Sequence, residues 1–268
     1  MRLVIIIIAS FGLSQAADDT DTVPLSESPV EPPYICQHPP YTPQVISTSP
    51  LVVYLHNFTS PQERAHLRRK TNGTWSRSAI TSTSGGARSA VRTSQSTYLT
   101  RDAVLSCIED RALAFQGYEV PRAHLEPLQL VRYAPGEHYS FHSDWFGNPT
   151  YAMPSAGGNR ATSFFAYLYV SEDMTGGGTN FPMLAAKRDP RWCGILDCDE
   201  EYENGVTFRA VEGSAVFWEN LRADGTGDER VIHAGLPLVT GEKIGMNIWT
   251  RQAPLSEEAR GPEHYPSV

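Results

Sequence analysis

The second half of the chain consists of short apolar segments that alternate with turn signals rich in glycine and proline. These turn signals include Pro135-Gly136 and Gly176-Gly177-Gly178. Between such turns the sequence predicts β-strands over residues 128–133, 139–144, 163–170, 214–218, 232–237 and 243–250. Many short strands separated in this way are typical of a β-sandwich or barrel. This pattern restricts the possible folds more than any other feature of the chain.

The first half contains two predicted helices. Ser60 followed by Pro61 is a favourable start for the first, because serine caps a helix and proline fits its first turn. Apolar periodicity predicts a second helix over residues 100–115. A strand at residues 51–55 precedes the first helix, and a polar loop at residues 71–97, rich in serine, threonine, glycine and arginine, separates the two helices. This composition predicts a mobile loop.

Two helices ahead of an all-β half predict a mainly β fold with flanking helices. The expected architecture is a double-stranded β-helix, or jelly roll, buttressed by the N-terminal helices. A chain of 268 residues with 40% hydrophobic content can bury one sizeable core. We assign the domain to residues 46–252 and a C-terminal tail to residues 253–268.

The N-terminal region predicts passage through the secretory pathway. Residues 1–16 resemble a cleaved signal peptide, with one arginine, an apolar run and small residues near the end. That run is shorter than the roughly 20 residues that span a bilayer, so no stable membrane span is expected. Residues 17–45 are rich in proline and serine and predict a flexible linker. Asn57 and Asn72 begin glycosylation sequons, which supports a location in the endoplasmic reticulum lumen or outside the cell.

The four cysteines also suit an oxidising compartment. Cys193 and Cys198 lie five residues apart and could close a small loop. That pairing would leave Cys36 with Cys107, although four cysteines allow three pairings. None of the four has the spacing of a zinc site.

The charge balance disfavours a nucleic-acid partner. There are 22 basic and 30 acidic residues, a net charge of -8, and no run of lysine or arginine that would follow a phosphate backbone.

The sharpest chemical feature is His142-Ser143-Asp144 within a predicted strand. Side chains two apart on a strand project to the same face, so this imidazole and this carboxylate point together. His233 lies in another predicted strand and is the natural third ligand. Two histidines and one carboxylate form the facial triad that binds Fe(II) and leaves coordination positions open.

Lys243 supplies a second signal, ten residues after His233. Strand alternation places Lys243 on one face with Gly245, Asn247 and Trp249. A lysine that faces the inside of a barrel beside small residues is costly unless it pairs with an anion. A dicarboxylate that meets Lys243 at one end and chelates the metal at the other has the geometry of 2-oxoglutarate.

Several motifs in order resemble the prolyl 4-hydroxylase branch of the 2-oxoglutarate/Fe(II) oxygenases. The resemblance covers residues 51–251, and residues 187–208 form a longer insertion than compact relatives have. The motifs that carry it are Gln129-Leu130-Val131-Arg132-Tyr133, His142-Ser143-Asp144, Gly177-Gly178-Thr179-Asn180-Phe181-Pro182, Gly213-Ser214-Ala215-Val216-Phe217-Trp218, His233, Lys243 and Asn247-Ile248-Trp249.

The resemblance implies a role for each matching position. The metal ligands fall on His142, Asp144 and His233, and the 2-oxoglutarate contacts fall on Lys243 and Tyr133, with Thr179 as a helper. The polar loop resembles the family's substrate-covering loop. The positions that it and the peptide groove imply for substrate binding are Arg92, Ser94, Glu126, Arg160 and Trp249.

The implied activity is hydroxylation of peptidyl proline, with Fe(II) and 2-oxoglutarate as cofactors, ascorbate as reductant, and succinate and carbon dioxide as products. The implied partner is a proline-rich peptide in the polyproline-II conformation. Two alternatives remain open: the same chemistry on lysine, a free amino acid or a small molecule, and a non-catalytic secreted jelly-roll binding module. No oligomeric state follows from the sequence.

Overall fold

The computed structural model describes residues 34–79, 90–117, 120–187, 189–199 and 201–261. The predicted signal peptide, most of the predicted linker and the end of the predicted tail lie outside these residues. In the described part of the chain, no helix is long and apolar enough to cross a membrane.

Short strands separated by turns follow one another in the second half of the chain, as the turn signals predict. The strands are β1 (Thr42–Thr48), β2 (Leu51–His56), β3 (Ser76–Arg77), β4 (Gln95–Tyr98), β5 (Gln129–Tyr133), β6 (Tyr139–His142), β7 (Arg160–Val170), β8 (Thr175–Gly176), β9 (Thr179–Phe181), β10 (Val206–Phe208), β11 (Ala215–Glu219), β12 (His233–Gly235), β13 (Leu238–Thr240) and β14 (Lys243–Arg251). The α-helices are α1 (Pro61–Lys70), α2 (Ala103–Gln116) and α3 (Glu257–Arg260). Short 3-10 helices occupy Arg122–His124, Pro149–Ala152, Pro154–Ala156, Pro190–Trp192, Tyr202–Asn204 and Glu229–Val231.

Within the described residues, eight strands form one antiparallel sheet in the order β1-β2-β11-β7-β14-β5-β4-β3. Four strands form a second sheet in the order β10-β9-β12-β6, and β13 pairs with β8. Aromatic side chains join the two sheets: Phe181 of the smaller sheet packs edge-on against Trp218 of the larger sheet. The predicted jelly roll is confirmed.

Local sequence signals set the ends of the two longer helices. Ser60 accepts a hydrogen bond from the Glu63 backbone, and the Glu63 carboxylate accepts one from the Ser60 backbone, which completes a capping box. Helix α2 begins after Asp102, whose side chain caps its first turn, and therefore starts slightly later than predicted. It ends at Gly117, which has a φ of 74°.

The large sheet is buried on both faces, as alternation along β7 shows. Phe164 and Ala166 pack toward the helices, in one core that also contains Leu105 and Ile108. Phe165 and Tyr167 face the smaller sheet, in a second core. The helices therefore cover the back of the sheet and leave its other face to line the interior of the jelly roll.

Two predictions for polar segments are wrong in part. The predicted linker extends to residue 45, yet β1 begins at Thr42 because it pairs with β2 along its length. Tyr34 also donates a hydrogen bond to Glu63, at 3.0 Å. The predicted loop at residues 71–97 contains β3 and part of β4, which extend the large sheet from β5. Long-range pairing overrides a polar composition at both places.

The C-terminal segment also packs on the domain where the structure describes it. The backbone of Leu255 donates to Ala123, and the buried Arg260 side chain of α3 donates to the Leu125 carbonyl oxygen. The residues predicted as a tail therefore include a short ordered helix.

Disulfide bonds join Cys36 to Cys107 and Cys193 to Cys198, which is the pairing that the spacing favoured. The first ties the segment before β1 to helix α2. The second closes a small loop within the insertion between β9 and β10.

Removal of the Cys36–Cys107 bond is expected to lower the free energy of unfolding by about 4 kcal/mol, and removal of the Cys193–Cys198 bond by about 2 kcal/mol. The difference arises because the first bond closes a loop with a separation of 71 residues and the second a loop with a separation of 5. Denaturant unfolding of the two Cys→Ser double variants measures both values. Equal losses would show that loop length does not determine the stabilisation.

Candidate active site

The predicted ligands His142, Asp144 and His233 meet between the two sheets. His142 ends β6 and His233 begins β12, and these two residues are directly opposite in the antiparallel pair. Asp144 follows β6 by two residues, so the predicted strand over residues 139–144 is shorter than expected. One ligand atom from each of the three residues lies within 4.8 Å of the other two, which fits a single metal ion.

Backbone hydrogen bonds orient both imidazoles. The Nδ1 atom of His142 lies 2.8 Å from the Ser140 carbonyl oxygen, and that of His233 lies 3.0 Å from the Val231 carbonyl oxygen. A carbonyl can only accept, so Nδ1 carries the proton in each ring and Nε2 keeps its lone pair. The two Nε2 atoms lie 3.8 and 3.9 Å from the Asp144 carboxylate. This is how metal-binding histidines are held in proteins.

The charge states also suit a metal ion. Burial and the adjacent His233 lower the pKa of His142 to about 3. Burial opposes ionisation of Asp144, but the two histidines outweigh it and hold the pKa of Asp144 at about 2. At neutral pH the site therefore offers a neutral His142 imidazole and an ionised carboxylate, the forms that bind metal.

A cavity of about 500 Å³ opens in front of the triad. Tyr133, Phe165 and Thr179 line one end. Its other described lining residues include aromatic side chains that are exposed or half-buried. These are Tyr98, Trp145, Phe146 and Tyr151. The cavity therefore joins an enclosed polar end to an open aromatic mouth.

Lys243 lies buried behind the enclosed end, with 1% of its surface exposed. Its Nζ atom donates to the Gly177 carbonyl oxygen and lies 4.7 Å from the centre of the Tyr133 ring. No acidic side chain of the described residues forms an ion pair with it. Burial lowers the pKa of Lys243 to about 7. An unpaired ammonium group at this depth gains strongly from an anion.

Tyr133 and Thr179 present hydroxyl groups at the same end. Burial raises the pKa of the Tyr133 phenol, so it stays protonated and can donate. Thr179 accepts a hydrogen bond of 2.8 Å from Tyr167, which leaves its own hydrogen available to another acceptor. The structure thus brings together all three residues that were predicted to contact 2-oxoglutarate.

The predicted substrate residues Glu126, Arg160 and Trp249 form one stack beside the metal ligands. Arg160 makes two hydrogen bonds of 2.7 Å with Glu126, and its guanidinium lies 3.6 Å from the centre of the Trp249 ring. Trp249 donates to Asp144 at 3.0 Å. Arg160 and Trp249 line the cavity, whereas Glu126 holds Arg160 from behind.

The two predicted substrate residues of the polar loop, Arg92 and Ser94, differ in position: the first lines the cavity and the second does not. Arg92 lines the cavity and lies 4.6 Å from the centre of the Tyr139 ring. Ser94 is fully buried and is not among the described residues that line the cavity. Its hydroxyl accepts a hydrogen bond of 3.3 Å from Arg92, so its place is behind that side chain and not on a substrate surface.

Among the residues that touch the ligands, sequence reasoning missed Tyr139 and Ser163. Tyr139 stacks on His142 with ring centres 3.5 Å apart. Ser163 donates a hydrogen bond of 2.6 Å to Asp144. A serine at an inward position of an aromatic strand was the available signal for Ser163. Tyr139 had no comparable signal, because regular alternation places residues three apart on opposite faces, whereas β6 pairs with β12 through a register shift.

Comparison with known proteins agrees with this site. The profile of the 2OG-Fe(II) oxygenase superfamily matches residues 128–251, which include the three predicted ligands and Lys243. The chain is 31% identical over 220 residues to "Prolyl 4-hydroxylase 1" of Arabidopsis thaliana, across 80% of this chain and 73% of that protein. It is 32% identical to "Prolyl 4-hydroxylase subunit alpha-3" of Rattus norvegicus, across 86% of this chain but only 38% of that protein.

The fold has a solved counterpart in the 2OG complex of the viral collagen prolyl hydroxylase from Paramecium Bursaria Chlorella virus-1. The TM-score is 0.53 at 22% identity, over 75% of this chain and 95% of that one. The chain is thus similar in sequence to the Arabidopsis protein and similar in fold to the viral enzyme. This chain is a dioxygenase that belongs to the prolyl 4-hydroxylase family of 2-oxoglutarate/Fe(II) oxygenases.

Proposed function

We propose that this protein hydroxylates proline residues in peptides or proteins, and that the product is 4-hydroxyproline. The observation that carries the proposal is the aromatic mouth of the cavity directly in front of the triad. Polyproline-II peptides dock in grooves lined by aromatic side chains, because their rigid rings pack on flat surfaces at little entropic cost. A free amino acid or small molecule would leave Tyr98 and Tyr151 of this mouth uncovered.

Two groups of residues would bind the metal and the co-substrate. His142, Asp144 and His233 would hold Fe(II), and Lys243, Tyr133 and Thr179 would hold the distal carboxylate of 2-oxoglutarate. Dioxygen would be the oxidant: bound Fe(II) and 2-oxoglutarate would activate it, so that one oxygen atom enters the product hydroxyl group and the other enters succinate, with release of carbon dioxide.

The chain's own residues orient the reactants and exclude water. The buried Lys243 ammonium group, which donates to the Gly177 carbonyl oxygen, would instead donate a charge-assisted hydrogen bond to the carboxylate of 2-oxoglutarate. Tyr139, stacked on His142, forms a wall of the cavity beside the predicted metal ligands. Arg160 and Trp249 close the other side. Together these groups hold a proline ring close to the metal and keep solvent out.

The affinity for 2-oxoglutarate is expected to fall as pH rises above about 7. Only the protonated Lys243 offers a charge, and in the free protein its pKa is about 7. Binding then requires uptake of a proton, so the dissociation constant rises by up to about tenfold per pH unit. Titration of the Co(II)-loaded protein with 2-oxoglutarate across this range measures the slope. Lys243→Arg should remove the dependence of the dissociation constant on pH, because a guanidinium stays charged. If this variant shows the same dependence, a group other than Lys243 is responsible for it.

The proposed function is tested with purified protein, Fe(II), ascorbate, 2-oxoglutarate and a panel of proline-rich peptides. Mass spectrometry is expected to show a gain of one oxygen atom on a proline residue, together with peptide-dependent succinate. The matched control is each active peptide with alanine in place of the modified proline. Amino-acid analysis of the product separates 4-hydroxyproline from the 3-isomer.

Other outcomes of this experiment favour the alternatives. Oxygen gained on lysine, or succinate formation that depends on an added amino acid and ignores every peptide, would retain the chemistry and reject the proline substrate. Binding of peptides without any succinate would favour the binding module.

We also propose that the protein acts in the secretory pathway, in the endoplasmic reticulum lumen or outside the cell. The two disulfide bonds support an oxidising compartment. The exposed side chains of Asn57 and Asn72 are accessible to glycans. Secreted expression followed by deglycosylation tests this: Asn57→Gln and Asn72→Gln should each remove one glycan, whereas unglycosylated protein would argue against the location.

A further inference from the structure

A chain of buried hydrogen bonds ends on the predicted metal ligand Asp144. The indole of Trp218 donates to Asn220 at 2.9 Å, the amide of Asn220 donates to Ser163 at 2.8 Å, and Ser163 donates to Asp144 at 2.6 Å. Ser163 and Asn220 have no exposed surface, and Trp218 is 1% exposed. We refer to Trp218, Asn220 and Ser163 as the relay.

The direction of every bond in the relay follows from its first member. An indole N–H can only donate, so the Asn220 oxygen must face Trp218 and its NH₂ group must face Ser163. The Ser163 oxygen therefore accepts, and its single hydrogen is left for Asp144. Ser163 is thus committed to donate to the carboxylate. A serine without this partner could rotate its hydrogen elsewhere.

The relay acts on one of the two carboxylate oxygens. Oδ2 of Asp144 accepts from Ser163 and also from Trp249, at 2.6 and 3.0 Å. Two donors occupy both lone pairs of Oδ2. Oδ1 accepts no hydrogen bond from the described residues and lies 3.8 Å from Nε2 of His142, whereas the doubly bonded Oδ2 lies 3.9 Å from Nε2 of His233.

The relay also touches a second ligand. The Trp218 ring packs edge-on against His233, with ring centres 4.7 Å apart. Ser163 lies on β7 directly opposite Trp218 on β11 and Trp249 on β14. Three adjacent strands of the large sheet thereby connect Asp144 to His233, which sits on the smaller sheet.

We propose that Ser163 is a positioning residue of the metal centre: the relay holds Oδ2 of Asp144 and so presents Oδ1 to the metal. This inference requires only that the triad binds a metal, and it is independent of the proline substrate. Outer partners of metal ligands commonly change metal affinity by about 10–100-fold.

The test is anaerobic titration of the metal-free protein with Co(II) alone, read from the cobalt absorption bands. Ser163→Ala is expected to raise the Co(II) dissociation constant about tenfold or more and to change the band pattern, because the carboxylate is free to rotate. The matched control is Thr162→Val, which removes the neighbouring buried hydroxyl on β7. That hydroxyl bonds Gln116 and not a ligand. Thr162→Val loses the bond to Gln116, and Ser163→Ala loses the bonds to Asn220 and Asp144. Only the relay variant should lose metal affinity, because only its bonds lead to a metal ligand.

Asn220→Leu is a second variant, and it decides the matter alone if Ser163→Ala does not fold. Leucine has nearly the shape of asparagine but cannot donate, so the Ser163 hydrogen is no longer committed to Asp144. Weaker Co(II) binding is expected, and no added charge opposes or imitates this effect. Co(II) affinity within about twofold of the natural protein in every relay variant that folds would overturn the proposal. So would an equal loss in Thr162→Val.

Discussion

Replacement of Asp144 or His142 by alanine is expected to abolish metal binding and to reduce 2-oxoglutarate turnover by about three orders of magnitude or more. The three ligands supply one donor atom each within 4.8 Å, so the loss of one leaves two. Asp144 carries the only negative charge of the three. Its loss also leaves the donors of Ser163 and Trp249 without their acceptor.

Two measurements separate this effect from misfolding. Co(II) titration reports the site directly, and circular dichroism reports the fold. The control is His56→Ala, which removes a histidine that bonds Gln44 on the outer strand β1. This variant should bind metal and turn over normally. Substantial turnover in Asp144→Ala would contradict the assignment of the metal centre.

Replacement of Lys243 by methionine is expected to weaken 2-oxoglutarate binding about 100-fold or more. Loss of one partner from a buried charged hydrogen bond generally costs about 2–5 kcal/mol. The effect should appear in the KM for 2-oxoglutarate, with Co(II) affinity unchanged. Lys187→Met, which changes a lysine of the insertion, is the matched control. Equal binding of 2-oxoglutarate by Lys243→Met and the natural protein would exclude Lys243 as the anchor.

The same variant should be more stable than the natural protein when no 2-oxoglutarate is present. Burial lowers the pKa of Lys243 from 10.5 to about 7, so the unfolded chain binds the additional proton between these values. The stability of the natural protein therefore rises with pH across this window and is lost as pH falls toward 7. Each pKa unit corresponds to about 1.4 kcal/mol, so methionine should stabilise the protein by a few kcal/mol at pH 7. Thermal unfolding at about pH 7 and pH 10 tests both the gain and its decrease with pH.

Most of the site residues that the sequence predicted lie on regular strands, where alternation is a reliable guide. His233 and Lys243 are the first residues of β12 and β14, and both side chains are buried. His142 and Asp144 converge although the strand ends at His142. The prolyl 4-hydroxylase resemblance placed Tyr133 and Thr179 at the same end of the cavity.

The sequence could not predict contacts that depend on distant chain segments. Tyr139 lies against His142, and Arg92 reaches it only because the polar loop pairs with β6. Ser94 was predicted on the substrate surface, but it packs behind Arg92, since β4 joins the large sheet there. Ser163 acquires its role from Asn220, which lies 57 residues later.

Turnover under isotopically labelled dioxygen tests most directly whether this protein hydroxylates proline with 2-oxoglutarate as co-substrate. A proline-rich substrate peptide, Fe(II), ascorbate and 2-oxoglutarate are incubated with the natural protein and with Asp144→Ala. One labelled oxygen atom is expected in succinate and one in hydroxyproline, in equal amounts, and neither is expected in the variant. Labelled succinate with no label in any peptide, or no labelled succinate from the natural protein, would contradict the proposed function.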